Sequence, residues 1–449
     1  MSAFLAVAAT PWYYRLVSLV GLGVLVGIAW LLSTNRKGIQ WRPVLIGVAL
    51  QLVFGLIVLS DAASAFFFTV VDGAVNQLLD FSAEGATFIF GTMEPHQILG
   101  PDGSALATEG GGTTWIGKVS PPVKTFAFWI LPTIVFFSSL MSILYYLGIM
   151  QKVVRALAWV MQRTMGTSGA ESLSAAANIF VGQTEAPLLI KPYVKDMTRS
   201  ELMAVMTGGF ATVAGGVMAA YVGFLQGIPG IAGHLVTASI MSAPAALAIA
   251  KVMVPEDGTP VTAGDLSKVS TEAATTDRNA IEAAARGATE GMQLAFNVAA
   301  MLIAFVALVA MADWVVGLIP FLGEPLSLSR IFGWVFAPVA FIMGVPWEEA
   351  TLVGRLLGEK IVLTEFIAYI NLGQMVAGPE PQLSQRSAII ASYGLCGFAN
   401  FASIGIQLGG IGGIAPSRMG DLAELGIRAM IAGSLAAFMT GTVAGMLIG

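Results

Sequence analysis

Long apolar runs recur along the whole chain and limit its possible folds more than any other feature. Two of them, Leu16–Leu32 and Val44–Leu59, have about the length that an α-helix needs to cross the hydrocarbon core of a bilayer. Comparable runs follow at Phe126–Leu147, Leu202–Leu225, Leu235–Val254, Met292–Ile319, Ala388–Leu408 and Leu422–Ile448. Because lipid supplies no hydrogen-bonding partner for the backbone, such runs fold as helices. The sequence therefore predicts an all-α polytopic membrane protein with eight transmembrane helices.

The composition agrees with a bilayer environment. Of 449 residues, 56% are hydrophobic and 11% are charged, whereas soluble domains carry about 25% charged residues. The 22 basic and 27 acidic residues give a net charge of −5, which provides no basic surface for nucleic acid. One cysteine, Cys396, and two distant histidines, His96 and His234, exclude an intrachain disulfide framework and a His/Cys metal site. No motif for an organic cofactor is present.

Basic residues between the spans predict the orientation of the chain. Arg36, Lys37 and Arg42 lie between the first two spans, so the positive-inside rule places this link in the cytoplasm. With eight spans, both termini are then extracytoplasmic. The N-terminus lacks the basic segment of a cleaved signal, so the first span is expected to be retained. Asp61–Phe81, which carries several aspartates, is expected to lie at the membrane interface, and Ser82–Pro122 is expected to be an extracytoplasmic loop.

One stretch between two spans, Asn178–Tyr193, does not fit a lipid-facing helix. Residues 183–185 read Gln-Thr-Glu, and an ionised carboxylate at the bilayer centre costs at least ~2.5 kcal/mol. Gly182 and Pro187 weaken the helical hydrogen-bond ladder, which lipid cannot replace. Basic residues flank both ends, as expected for a re-entrant hairpin that returns to the side from which it entered. The stretch therefore predicts irregular backbone around a buried, hydrated cavity.

The chain also contains an internal repeat. A Thr-Glu pair at 184–185 in the first half matches a pair at 364–365 in the second, each after a Met-Gly pair. Each is followed by a glycine-rich span, and the centres of these spans, Gly209–Gly215 and Gly397–Ser403, are identical at four of seven positions. Such glycines favour unwinding at mid-membrane. Because three spans, an odd number, separate the copies, the sequence predicts an inverted-topology repeat with two re-entrant hairpins and discontinuous helices.

The repeat divides the chain into four predicted parts. Residues 1–150 hold the N-terminal spans, an interfacial helix and scaffold, and residues 255–319 hold a hydrophilic cytoplasmic segment and a scaffold span. Residues 151–254 and 320–449 form the two transport repeats, each with an amphipathic helix, a hairpin, a broken helix and a span. The amphipathic helix of the first repeat, Val153–Met165, is expected at the interface or buried.

The repeated Thr-Glu pairs are the strongest candidates for a binding site. Glu185 and Glu365 occupy equivalent positions, so both are expected to face one central cavity and to accept hydrogen bonds from a polar solute. Alternatively, such a carboxylate caps a neighbouring helix. A catalytic carboxylate pair is disfavoured, because no nucleophile–base arrangement accompanies it. Asn178 and Thr212, with unwound carbonyl groups, could coordinate a small hard cation or could satisfy freed backbone groups.

Together these motifs resemble those of the concentrative nucleoside transporters. The resemblance rests on Gly182–Pro187 with its flanks, on Thr364–Phe366 and on Gly397–Gly405, and it extends from Phe126 to the C-terminus. It implies a cation-coupled symporter that takes up nucleosides by alternating access. It further implies a homotrimer of eight-span protomers in a lipid bilayer, and similarity to bacterial members implies the bacterial inner membrane.

The resemblance also implies roles for individual residues. The residues expected to face or pack near the nucleobase are Gln183, Thr184, Glu185, Val217 and Phe398. The residues expected to hold the ribose hydroxyls are Glu365, Asn400 and Ser403. The implied Na⁺ site uses the side chains of Asn178 and Thr212 and the carbonyl groups of Val181 and Val213. Some members have serine in place of Thr212, which keeps the hydroxyl.

The sequence therefore predicts a nucleoside importer with Na⁺ as its coupling ion. Proton coupling stays open, because Glu185 or Glu365 could carry a proton. A channel or facilitator would share the broken helices but would not concentrate its solute. A membrane-embedded enzyme is a further alternative, which would turn its substrate over in detergent.

Overall fold

Seventeen α-helices run through the part of the chain that the computed structural model describes. That part comprises residues 11–59, 61–90, 96–97, 115–116, 126–264, 277–318, 320–321 and 324–448. Strands occur there only as two antiparallel pairs, β1 (His96–Gln97) with β2 (Trp115–Ile116) and β3 (Pro320–Phe321) with β4 (Glu324–Pro325). The predicted all-α class is confirmed.

The N-terminal part begins with α1 (Tyr13–Leu31), α2 (Trp41–Leu59) and α3 (Asp61–Phe90). A π-helical turn at Phe126–Ile130 then leads into α4 (Leu131–Tyr146). The predicted loop from Ser82 to Pro122 is wrong at its start, because α3 continues to Phe90. Ser82 is buried within α3, where its hydroxyl donates to the hydroxyl of Thr133 in α4 at 3.4 Å. Most of the rest of that loop lies outside the described residues.

The first repeat is interrupted twice. Its elements are α5 (Ile149–Met165), α6 (Gly169–Ala177), a 3₁₀ turn (Ala186–Ile190), α7 (Lys191–Val194), α8 (Arg199–Ala211), α9 (Gly215–Phe224) and α10 (Ile231–Met253). Helices α6 and α7 form a hairpin whose tip, residues 178–185, is not helical. Ser168 caps α6 and Thr198 caps α8, each through a reciprocal pair of bonds with a glutamate three residues on. These capping boxes satisfy amide groups that would otherwise be buried without partners.

One long helix, α11 (Ala280–Gly317), follows the first repeat. Asn279 caps it by accepting a hydrogen bond from the Glu282 amide at 2.9 Å. The end of the predicted hydrophilic segment and the span predicted from Met292 therefore belong to one continuous helix. Glycines four residues apart, Gly287 and Gly291, let α11 approach α4 closely, which holds this part of the helix in place. Residues 265–276 of the predicted cytoplasmic segment lie outside the described part.

The second repeat has the same order of elements as the first. They are α12 (Leu328–Ile342), α13 (Trp347–Val362), α14 (Glu365–Val376), α15 (Gln385–Leu395), α16 (Phe401–Ile414), a 3₁₀ turn (Pro416–Arg418) and α17 (Met419–Leu447). Helices α13 and α14 form the hairpin, and α15 and α16 form the broken helix. Gly166 and Gly344, which end the amphipathic helices, have φ values of 78° and 100°, a conformation that favours glycine. The predicted hairpins and discontinuous helices are confirmed.

The number of spans depends on how the bent helices are counted. By length and composition, six segments of the described residues could cross a membrane, namely α1, α2, α8–α9, α10, α11 and α17. The number rises to eight if the bent pairs α4–α5 (79°) and α12–α13 (116°) each form one span. The predicted seventh span is divided between α15 and α16, neither of which is long enough alone. The predicted total of eight spans therefore remains a prediction.

The breaks in the two broken helices meet in the interior. Helices α8–α9, α10 and α17 bury most of their residues, whereas α1, α2 and α11 leave most of theirs partly or fully exposed. At the second break, Gly397 has a φ of 118°, and a Cβ there would lie 2.6 Å from the carbonyl oxygen of Phe210 at the first break. Only glycine permits both this conformation and this approach. The two repeats are thus joined at their irregular centres.

Candidate functional site

Both hairpins and both broken helices contribute to one cavity of about 780 Å³, whose wall α4 and α11 complete. All the residues predicted to contact a solute line it: Gln183, Thr184, Glu185, Val217, Glu365, Phe398, Asn400 and Ser403. Val181 lines it as well, whereas Asn178, Thr212 and Val213 lie behind its surface. Glu185 and Glu365 therefore share one void, although 180 residues of chain separate them.

Gln183 connects the tip of the first hairpin to the second broken helix. Its amide nitrogen donates to the hydroxyl of Ser403 at 3.2 Å, and its amide oxygen accepts from Nε2 of Gln407 at 3.0 Å. The same nitrogen of Gln407 donates to the carbonyl of Met206 in α8 at 3.1 Å. Gln407 was not among the predicted residues, although it follows Ser403 by four positions and therefore shares its helix face. These bonds join one hairpin to both broken helices.

Glu365 begins α14 and is buried between two neutral donors. The hydroxyl of Tyr221 donates to one carboxylate oxygen at 2.8 Å, and Nδ2 of Asn400 donates to the other at 3.0 Å. The amide oxygen of Asn400 accepts from the Ser403 amide at 2.9 Å and so caps α16. Tyr221 was also not predicted; it is buried one helical turn after Val217, on the same face of α9. Asn400 thus caps a helix and orients a carboxylate at once.

Glu185 differs from Glu365 because its side chain is exposed to the cavity. Beside it, Thr184 packs on α16, where a Cβ at Gly410 would lie 2.7 Å from its methyl carbon. Val217 and Phe398 supply apolar wall. The cavity therefore combines one buried and one accessible carboxylate, several amide groups and an apolar surface. This combination suits a small polar solute that also has an apolar face.

The predicted cation ligands lie where the first hairpin meets the first break. Nδ2 of Asn178 donates to the Ser174 carbonyl at 3.0 Å, and it would lie 3.3 Å from a Cβ at Gly208. The hydroxyl of Thr212 donates to the carbonyl of Gly208 at 2.8 Å. The oxygen Oδ1 of Asn178 is buried and has no hydrogen-bond partner among the described residues. Since buried polar atoms are nearly always paired, this oxygen is available to a ligand.

The backbone holds the same two segments together. The amide of Gly215, which begins α9, donates to the carbonyl of Phe180 in the hairpin tip at 2.9 Å. Val181 follows Phe180, and Val213 precedes Gly215 by two residues, so both belong to this irregular region. The structure thus brings the hairpin tip and the first break into direct contact.

A charged cluster lines the cavity at the start of α11. Arg286 and Glu290 are part of the wall, together with Tyr145 of α4. The guanidinium of Arg286 pairs with Asp277 at 2.9 Å and with Glu290 at 2.8 Å. This pairing holds the pKa of the Asp277 carboxyl below its usual range. The cavity therefore extends toward the segment that the sequence predicts to be cytoplasmic.

Comparison with known families gives matches along most of the chain. Family models described as "Na+ dependent nucleoside transporter N-terminus", "Nucleoside recognition" and "Na+ dependent nucleoside transporter C-terminus" match residues 20–93, 127–227 and 234–445. The chain is 42% identical over 433 residues to the "Uncharacterized transporter YutK" of Bacillus subtilis, covering 96% of this chain and 98% of that protein. It is 40% identical over 449 residues to solute carrier family 28 member 3 of Rattus norvegicus, covering 96% of this chain and 59% of that protein.

A solved structure shares the fold. CNTnw in an inward-facing substrate-bound state is similar with a TM-score of 0.84 at 40% identity, covering 97% of this chain and 98% of that chain. The relatives are transporters rather than enzymes, as the sequence predicts. Agreement in sequence, in three successive family models and in fold over nearly the whole length leads to one conclusion: the chain belongs to the concentrative nucleoside transporter family.

Proposed function

We propose that this transporter is a symporter that imports nucleosides together with Na⁺ by alternating access. The observation that carries the proposal is the single cavity into which two hairpins bring Glu185 and Glu365. A nucleoside has hydroxyl donors on its ribose and a polar edge and an apolar face on its base. The carboxylates of the cavity can accept from the hydroxyls, its amide groups can pair with the polar edge, and its apolar wall can pack on the apolar face.

The buried side of the cavity suits the ribose. Glu365 and Asn400 present oriented acceptor and donor groups, and Ser403 adds a hydroxyl beside them. A solute without ribose hydroxyls would leave these buried groups unpaired, and a site of this kind rejects such a solute strongly. The nucleobase would then contact Gln183, Thr184 and Glu185. Val217 and Phe398 would pack against its face.

The first break suits Na⁺. The proposed ligands are the side-chain oxygens of Asn178 and Thr212 and the carbonyl oxygens of Val181 and Val213. Oxygen ligands from unwound helices are typical of cation sites in secondary transporters. The unpaired oxygen of Asn178 supports this assignment, as do the two matching family models whose description includes Na⁺ dependence.

Coupling to a cation gives enough free energy to concentrate a neutral solute. One elementary charge that crosses a potential of 100 mV releases about 2.3 kcal/mol. Because each 1.4 kcal/mol is a factor of ten, the potential alone supports a gradient of about fiftyfold. A facilitator with the same cavity would have no such source of free energy.

Alternating access would move the two transport repeats, residues 151–254 and 320–449, against the scaffold of residues 1–150 and 255–319. The cavity extends to Arg286 and Glu290 in the predicted cytoplasmic segment, so this conformation would be open to the inside. In the same topology both termini are extracytoplasmic. A homotrimer in the bacterial inner membrane completes the proposal, on the strength of the family resemblance.

The coupling ion can be tested with the purified protein in proteoliposomes. We expect an inward Na⁺ gradient to drive labelled uridine above its external concentration, and an inward proton gradient of equal size to drive less. Vesicles with choline in place of Na⁺ are the control. Accumulation with the proton gradient alone would replace Na⁺ by a proton carried on Glu185 or Glu365. Equilibration without accumulation under either gradient would identify a facilitator.

A further inference from the structure

The second hairpin contains a buried lysine that no role above uses. Lys360 in α13 is fully buried. Its Nζ donates to the carbonyl of Gly394 at 3.0 Å and to the carbonyl of Cys396 at 3.2 Å. Both carbonyls lie at the end of α15, just before the second break. Among the described residues, no carboxylate lies within ion-pair distance of this nitrogen.

The surroundings of Lys360 differ from those of Lys251, the other lysine that is buried among the described residues. Lys251 in α10 pairs with Glu171 at 2.8 Å and with Glu256 at 3.1 Å. A buried charge without such partners is costly. At Lys360 the compensation comes from backbone carbonyls at a helix C-terminus, which carries about half a negative charge. The C-terminus of a helix attracts a cation, and at the end of α15 that cation is the ammonium group of Lys360.

The first repeat has the corresponding helix end without the lysine. In the internal repeat, Gly209 corresponds to Gly397. Gly208 therefore corresponds to Cys396, one position earlier in each copy. In the first repeat, Asn178 lies against Gly208, and Thr212 donates to the Gly208 carbonyl. In each repeat, therefore, a side chain from the hairpin reaches the last turn before the break. One is an uncharged amide with an unpaired oxygen, and the other is an ammonium group.

We propose that Lys360 is a counter-cation built into the chain, which fills in the second repeat the place that the first repeat leaves to a mobile cation. Only the break in the first repeat then needs to bind a cation from solution. Lys360 holds the end of α15 in place and, through it, the segment from Gly397 to Asn400 that orients Glu365. It is a positioning residue, since it does not line the cavity. This role rests on the Na⁺ site proposed above for the first repeat.

The test removes the ammonium group and supplies it from solution. We expect Lys360→Ala to lower uridine uptake at least about tenfold at a Na⁺ concentration that saturates the wild type. Added ethylammonium should restore part of that uptake. Without ethylammonium, the dependence on Na⁺ should steepen, from a Hill coefficient of about 1 to one approaching about 2, because a second cation then occupies the empty place.

Two variants serve as matched controls. Lys360→Arg keeps the charge and should keep a Hill coefficient of about 1. Lys191→Ala removes an exposed lysine from the first hairpin, and its uptake should equal that of the wild type with or without ethylammonium. A merely structural lysine would give lower uptake with unchanged Na⁺ dependence and no response to ethylammonium, and that result would overturn the inference.

The outcome can be separated from the proposed function. A wild type that ignores Na⁺ contradicts the proposed coupling ion, whereas rescue of Lys360→Ala by ethylammonium would still assign the ammonium group to the helix end. If Lys360→Ala does not reach the membrane, Lys360→Met preserves the side-chain length, and uridine binding to the detergent-solubilised protein replaces uptake. Failure of both neutral variants to fold, with Lys360→Arg folded, would assign Lys360 to folding alone and reject the inference.

Discussion

The carboxylate of Glu365 is held by two neutral donors, and each donor is itself fixed. Asn400 is held by its cap on α16, and the ring of Tyr221 stacks on that of Tyr369 with centroids 4.3 Å apart. A carboxylate can accept about four hydrogen bonds. Tyr221 and Asn400 supply one each, so part of this capacity is left for a solute. Glu365 is therefore oriented before any solute arrives, and little ordering is needed on binding.

Replacing this carboxylate by an amide should nearly abolish transport. In Glu365→Gln, the amide keeps only one acceptor oxygen, so its NH₂ group can be paired only if the Tyr221 hydroxyl changes from donor to acceptor, and one acceptor for the solute is lost. Each unpaired buried group costs about 1–3 kcal/mol, so we expect uridine uptake to fall by about a hundredfold. Glu424→Gln, at an exposed ion pair with Arg199, is the control and should be nearly neutral. Undiminished uptake by Glu365→Gln, in protein inserted normally, would contradict the assignment to the ribose.

Residues inside the repeated motifs could be predicted, and residues outside them could not. Gln183, Glu365 and Asn400 are polar residues in segments that match between the two halves. Gln407 lies one helical turn beyond those segments, and Tyr221 lies nearly two turns beyond them. A single sequence shows that a polar residue lies in an apolar helix, but it does not show which residues of other helices that side chain contacts. The unpaired state of the Asn178 oxygen could not be predicted either, because hydrogen bonding depends on which residues the fold brings together.

At the scale of elements, the breaks show how glycine sets the architecture. Gly397 adopts a φ of 118° directly against the backbone of Phe210 and Ala211. The sequence predicts both breaks from their glycines but not their contact. Helix ends were less predictable: α3 runs to Phe90 and α11 starts at Ala280, because no proline stands where the hydropathy changes and the single glycines there do not end either helix. Hydropathy reports the solvent around a helix, whereas caps and breakers decide where it stops.

A side chain at the second break should destabilise the protein. In Gly397→Ala, the methyl group would collide with a backbone carbonyl, and the positive φ adds strain, so we expect a loss of about 2–4 kcal/mol. The measurement is thermal unfolding of the detergent-solubilised protein. Gly405→Ala in α16, where a Cβ would meet no atom within 4 Å, is the matched control and should not lower the unfolding temperature. Equal unfolding temperatures for both variants would show that Gly397 is not in close contact with the backbone of Phe210 at the first break.

At the scale of the whole molecule, buried and exposed helices are separated. Helices α8–α9, α10 and α17 form the interior with the hairpins, and α1, α2 and α11 surround it. The cavity lies between these two groups, since α4 and α11 form one wall and the hairpins another. A movement between the groups would therefore change access to the cavity without unfolding either group.

Access to the cavity should come from the side of the predicted cytoplasmic segment. In a Cys396→Ser background, we expect Met141→Cys, which lines the cavity, to react with a membrane-impermeant thiol reagent applied from the cytoplasmic face, and uridine to protect it. Val261→Cys, exposed on residues 255–264, should react from the same face without protection. Modification of Met141→Cys only from the opposite face would show that the cavity opens outward.

The contact at Gly397 links the proposed Na⁺ site to the proposed nucleoside site. Thr212 comes directly after Ala211, against which Gly397 lies, and Asn400 follows Gly397 by three residues. An ion at the proposed site in the first break would therefore stabilise the neighbouring backbone that positions the Asn400 amide at Glu365. If Na⁺ is the coupling ion, as proposed, thermodynamic reciprocity requires that Na⁺ tightens nucleoside binding by the same factor as nucleoside tightens Na⁺ binding. Under the proposed coupling, a nucleoside or an ion bound alone would order only one of the two contacting breaks, and uncoupled movement of either one would be disfavoured.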